Sequence, residues 1–144
     1  MATTRHTAYR AAAASALTTE LNSLGNAANS AASSTIDNTT NLDLFADFEL
    51  VIAAQGSARS AGATVALYLT TSLDGTNFDD VNETTAELVA VFPLDAATTA
   101  RRRTVRDVPI PPALFKVFAR NSTGQAMASS GNTIRYRAHS VDTA

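Results

Sequence analysis

The chain has 144 residues, with 11 Lys and Arg against 13 Asp and Glu and no cysteine. That length fits one domain plus an extension, and the composition excludes disulfides and thiolate chemistry. A net charge of −2, no nucleic-acid motif and no apolar run near the ~20 residues of a bilayer span lead us to expect neither nucleic-acid nor membrane partners.

Of residues 1–42, 29 are Ala, Ser, Thr or Asn. Arg5, His6 and Arg10 precede Ala11–Ala14, and alanine alone makes a poor signal-peptide core. A transit segment fits residues 1–19 slightly better, but a soluble, cytoplasmically made chain fits best. Tyr9, Ala13, Leu17, Leu21 and Leu24 recur at helical spacing, with Thr7 as N-cap and Gly25 as C′ residue, so the spacing predicts a helix over 7–24. Its apolar stripe is thin, and such a helix is marginal alone in water. It calls for a partner surface: the chain's own body, a neighbouring subunit or a larger assembly. Tyr9, Leu17, Leu21 and Leu24 are therefore candidate interface residues. Residues 26–41 (NAANSAASSTIDNTTN) read as an extended linker. The organisation expected is an N-terminal Ala-rich arm, extended or helical, and linker (1–42), followed by a body (43–144) that folds without it.

From Leu44 onward the period becomes two. Residues 44–54 place Leu44, Ala46, Phe48, Leu50 and Ile52 on one face, and residues 63–71 do the same with Val65, Leu67 and Leu69. Asp74-Gly75 marks a turn, and residues 86–92 form another apolar run. Residues 101–108 alternate Arg with Thr and Val, which predicts an edge strand or one with an exposed face. Pro109-Ile110-Pro111-Pro112 then interrupts pairing. Residues 114–120 and 133–141 alternate again, the latter setting Ile134, Tyr136 and Ala138 against Arg135, Arg137 and an outward His139. Six or more short strands at this spacing predict a mainly β fold, an antiparallel, jelly-roll-like sandwich.

Charge is unevenly spread. Residues 37–95 hold ten acids against Arg59 alone, and residues 101–137 hold eight bases against Asp107. The halves are complementary, either across strands or across a subunit boundary. Arg101, Arg102 and Arg103 form the densest run. Consecutive strand residues point to both faces, so at least one of the three is expected to reach another chain. Asp74–Asp80 is rich in oxygen donors, but Gly75 stands too early for a calcium loop, and a turn is the simpler account. His6 and His139 are the only imidazoles, and no nucleophile elbow or phosphate loop is present. The expectation is no enzyme activity, no catalytic or metal residues and no cofactor. Asn38, Asn82 and Asn121 begin glycosylation tripeptides that look like chance matches in an Asn/Thr-rich chain.

Ile36–Leu42 leading into Asp47-Phe48-Glu49-Leu50, then Leu67–Gly75, Ile110–Lys116, Asn121–Gly124 and Ser130–Thr133, together resemble small structural proteins of tailed-bacteriophage virions, of the capsid cement or decoration type. The resemblance runs from about Leu21 to His139. It implies a β-body on the outer capsid surface, often as homotrimers, with an arm reaching neighbouring subunits. The implied partners are the major capsid protein and further copies of the chain, and the family brings no catalytic residues. The alternative is a carbohydrate- or receptor-binding sandwich of a phage tail or fibre. That reading wants aromatics exposed on a concave face, and here Trp is absent.

Overall fold

A computed structural model describes residues 5–9 and 11–143; the side chains of the basic cluster Arg5, His6 and Arg10 lie outside the described residues. Nine strands follow in order: β1 Arg5–Tyr9, β2 Ala14–Leu17, β3 Ile36–Asp37, β4 Phe45–Ile52, β5 Thr64–Thr71, β6 Glu87–Pro93, β7 Arg101–Pro109, β8 Leu114–Ser122 and β9 Thr133–Thr143. They form two antiparallel sheets. The larger has the order β1-β9-β4-β7, with β2 also on β9, and the smaller has the order β3-β8-β5-β6. The fold is mainly β and sandwich-like, as the alternating pattern predicts.

The alternation creates the core. Along β4 every second residue is buried, and Ala46, Phe48, Leu50 and Ile52 have no exposed surface. They face Val65, Leu67 and Leu69 from β5, Phe92 from β6, and Phe115, Val117 and Ala119 from β8 in one cluster. A fully buried side chain of this size contributes about 1.5–3 kcal/mol, so this cluster is what closes the two sheets together.

Among the described residues of 7–24 the expected helix is absent. Those residues form β1, β2 and a 3-10 turn at Thr19–Leu21. Helix propensity is a weak preference that tertiary contacts override. Here β9 needs a partner along its free edge, and β1 and β2 supply it in succession, Tyr9 opposite His139 and Ala14 opposite Tyr136. Leu17, Leu21 and Leu24 still point one way, but into the chain's own core.

The break expected at residues 42/43 is likewise not a break in the sandwich. Ile36 joins the core, and the serine-rich stretch before it lies along the edge of β8. Ser30 and Ser33 donate their N–H groups to Ala119 O and Val117 O. Their hydroxyls accept the return N–H groups of Ala119 at 3.0 Å and Val117 at 3.1 Å. A hydroxyl thus stands where a strand would offer a carbonyl, and the edge of β8 is covered without a regular strand. Further along, Asn121 is fully buried, and its amide donates to Leu24 O and Gln125 O, each at 2.8 Å. That ties the N-terminal segment to the loop before β9.

Candidate functional site

The outer face of the larger sheet is densely charged. On β4 the outward residues are Asp47 and Glu49. On β7 they are Arg102, Thr104 and Arg106, and on β9 Arg135 and Arg137. With Tyr9 they line a shallow concavity of about 400 Å³. Four arginines against two carboxylates leave the hollow positive. Arg102 lies 3.2 Å from Glu49 but keeps 65% of its side chain exposed. Exposed pairs of this kind are worth roughly 0–1 kcal/mol, so the guanidinium remains available to a partner. Among the described residues, Arg135 donates to Ala13 O at 3.5 Å. Arg137 sits over the Tyr9 ring, 4.1 Å from its centroid, and donates to Ala11 O.

At one end of the hollow, four side chains converge. β4 and β7 slip register between Ala46 and Phe48, so that Asp47 faces two residues, Arg106 and Asp107. Asp107 takes φ 55, a left-handed conformation that Asp tolerates better than most residues. This bulge turns the Asp107 N–H onto Asp47 Oδ1 at 3.0 Å. Asp47 Oδ2 accepts the Tyr9 hydroxyl at 2.7 Å and lies 3.6 Å from Arg106. Burial pushes the Asp47 carboxyl up, but the Tyr9 hydroxyl, the Asp107 N–H and the neighbouring His139 and Arg106 outweigh it and hold it below the ordinary carboxylate range. The same hydrogen bond to Asp47 pushes the Tyr9 phenol up.

His139 completes the group. It lies on the outward face of β9, as the alternation predicts, but it is not solvent-facing: only 1% of it is exposed. Phe45 stacks on its ring and Tyr9 meets it edge-on, at centroid distances of 5.8 and 5.1 Å. Its Nε2 stands 3.3 Å from Asp47 Oδ1 and 3.3 Å from Asp107 Oδ1. Neither ring nitrogen makes a hydrogen bond. Among the described residues, Asp47, Asp107 and His139 are the one group of three acid or imidazole side chains close enough to share an ion.

The interface residues expected from sequence separate into three fates. Tyr9 lies in the hollow. Leu17 and Leu21 have no exposed surface and Leu24 only 9%, so they are core residues and offer nothing to a partner, which corrects the interface expectation for them. Arg101, Arg102 and Arg103 do point to both faces of β7, but each finds an acceptor within the chain. Arg101 Nε bridges both Asp95 oxygens at 2.9 and 3.0 Å, Arg103 Nε donates to Pro93 O at 3.0 Å, and Arg102 meets Glu49. Because β7 is a sheet edge, its inward arginines reach across to the end of β6 and fasten the two sheets there. All three arginines thus have an acceptor within the chain, while Arg102 stays largely exposed. Arg106–Asp47 and Arg120–Glu83 are further pairs between the acidic and basic halves of the chain.

The Asp74 segment is a self-contained turn. Asp74 Oδ1 accepts the N–H groups of Thr76 and Asn77, each at 2.8 Å, and Gly75 takes φ 76. These bonds hold the Asp74 carboxyl well below the ordinary range. Asn38 and Asn121, the first residues of two glycosylation tripeptides, are buried and hydrogen-bonded. No helix among the described residues is long and apolar enough to cross a membrane. Neither the protein-family models nor the curated proteins compared with the chain match it.

Proposed function

We propose that this chain is a structural virion protein, a capsid cement or decoration protein. In this reading it binds the outer shell through the arginine-rich hollow of its larger sheet and stabilises the shell by bridging subunits. The observation that carries the reading is that hollow: an open, positive sheet face whose exposed guanidiniums suit an acidic protein surface, since each planar fork can hold two acceptors. The strand order adds support. Taking β1 and β2 as one interrupted strand leaves four strands per sheet, ordered first-eighth-third-sixth and second-seventh-fourth-fifth. We read this order as jelly-roll-like, an architecture found among viral capsid and lectin domains. Fold analogy alone assigns no function, so the weight rests on the charged face. The partners are the major capsid protein and copies of the chain, arranged as trimers, with many weak contacts summed by avidity.

The test is co-sedimentation of purified protein with shells built from the major capsid protein of the same virion. Binding should weaken as salt is raised past the ~10 Å screening length of 0.1 M. It should fall further in an Arg102→Ser, Arg135→Ser variant that keeps its β-type circular dichroism. Absence of wild-type binding to the shells, or binding indifferent to both changes, would sink the proposal. The tail or fibre alternative draws on the same concavity, with Tyr9 and Tyr136 at its walls. A glycan array that lights up while shells stay bare would favour it.

A further inference from the structure

We propose that Asp47, Asp107 and His139 form a divalent-cation site, suited to a borderline ion such as Zn²⁺. Three observations meet here. First, His139 is 1% exposed and both its ring nitrogens lack hydrogen-bond partners, although buried polar atoms ordinarily find one. Second, its Nε2 has two carboxylate oxygens at the same 3.3 Å, and neither oxygen is placed to accept a hydrogen bond from the ring. Three donor atoms spaced this way surround a common point. Bonds of ~2.0–2.1 Å in a tetrahedral zinc site put ligand atoms roughly 3.3–3.4 Å apart. The pair of oxygens lies within 4.8 Å and closes around an ion by a small turn of Asp107, whose side chain is 72% exposed.

Third, the surroundings are those of an oriented ligand set. The Tyr9 hydroxyl occupies Asp47 Oδ2, while Oδ1, which accepts the Asp107 N–H, faces His139; such outer partners fix the direction of ligating carboxylates. Phe45 and Tyr9 clamp the imidazole ring. The exposed side of Asp107 lets an ion arrive from solvent and leaves a fourth position for water. Arg106 offsets part of the carboxylate charge, which weakens the site for hard ions that rely on charge alone. An imidazole nitrogen with two carboxylates favours zinc-like ions over Mg²⁺ or Ca²⁺. The ligands come from β4, β7 and β9, and Tyr9 belongs to β1, so an ion here would fasten the N-terminal strand to three others.

The experiment uses the full chain after EDTA treatment and dialysis, titrated with ZnCl₂ by calorimetry, with MgCl₂ and CaCl₂ as controls. Saturable binding of one Zn²⁺ per chain is expected, with a rise in melting temperature and a shift of the His139 ring signals in the NMR spectrum. Asp107→Asn changes an exposed side chain, and Asn also tolerates the left-handed backbone, so this variant keeps the fold while its zinc affinity drops at least tenfold. His139→Gln should abolish binding. Failure of the wild type to bind zinc at millimolar concentration overturns the proposal. So does zinc binding that Asp107→Asn leaves unchanged and that moves only the His6 signals.

Discussion

Arg59, the single base among residues 37–95, heads the fully buried side chains by size. Its guanidinium donates to Asp95 O, Asp95 Oδ1 and Thr99 O at 3.0 Å and to Gln55 Oε1 at 3.1 Å. One side chain thus holds the loop after β4 against the loop before β7. Breaking a buried ion pair costs about 3–5 kcal/mol. Asp95, however, is 41% exposed and keeps Arg101, so its charge is not stranded. Arg59→Ala should therefore fall at the lower end, about 3 kcal/mol, measured as a lowered urea midpoint with unchanged slope. Arg101 and then Arg59 hold the Asp95 carboxyl down to about 2 from an ordinary 3.8. A depressed acid contributes stability that is fully present above its unfolded value and is lost as pH falls toward its folded value. The melting temperature should accordingly drop between about pH 4 and pH 2, and Asp95→Asn should flatten that part of the profile while lowering its upper plateau. An unaltered acid limb in the variant would show that this carboxylate is not the titrating group.

At the scale of elements, the serine-covered edge of β8 makes a sharp demand. Val117 N–H has the Ser33 hydroxyl as its acceptor, and Ala119 N–H has that of Ser30. Each substitution to Ala leaves a buried donor unsatisfied, at about 1–3 kcal/mol. Ser33→Ala and Ser30→Ala should each lower stability by that amount, and amide exchange at Val117 or Ala119 should accelerate locally. If exchange stays slow there, another acceptor takes the hydroxyl's place. The same region marks where sequence patterning stops being informative. β4, β5 and β8 were visible because alternate residues meet the core, and a period of two survives in the one-dimensional string. β1, β2 and the serine stretch were not, since their shape is dictated by the edges of β9 and β8, which lie about 100 residues away in sequence. The cluster at His139 was hidden for a related reason. Its face was right, but Phe45 and Tyr9 arch over it, and Asp107 arrives through a bulge that alternation does not encode.

For the molecule as a whole, the described residues ahead of Asp43 contribute to the same core as the rest. Leu17, Leu21, Leu24 and Ile36 all sit in the common core. Losing a buried Leu or Ile side chain costs ~2–5 kcal/mol, and a domain of this size has only about 5–15 kcal/mol in total. Residues 43–144 alone should therefore show no cooperative melting transition, contrary to an independent body joined to a detachable arm. A truncated chain that melts cooperatively within a few degrees of the full one would restore the two-part organisation. The pairing of β1 with β9 carries a further consequence. Arg5 stands opposite Thr143, a separation of about 5 Å between Cα atoms. The outer ends of β1 and β9 thus share one corner of the sandwich. Tags carried beside Arg5 and beside Thr143 would therefore share a single address on the surface.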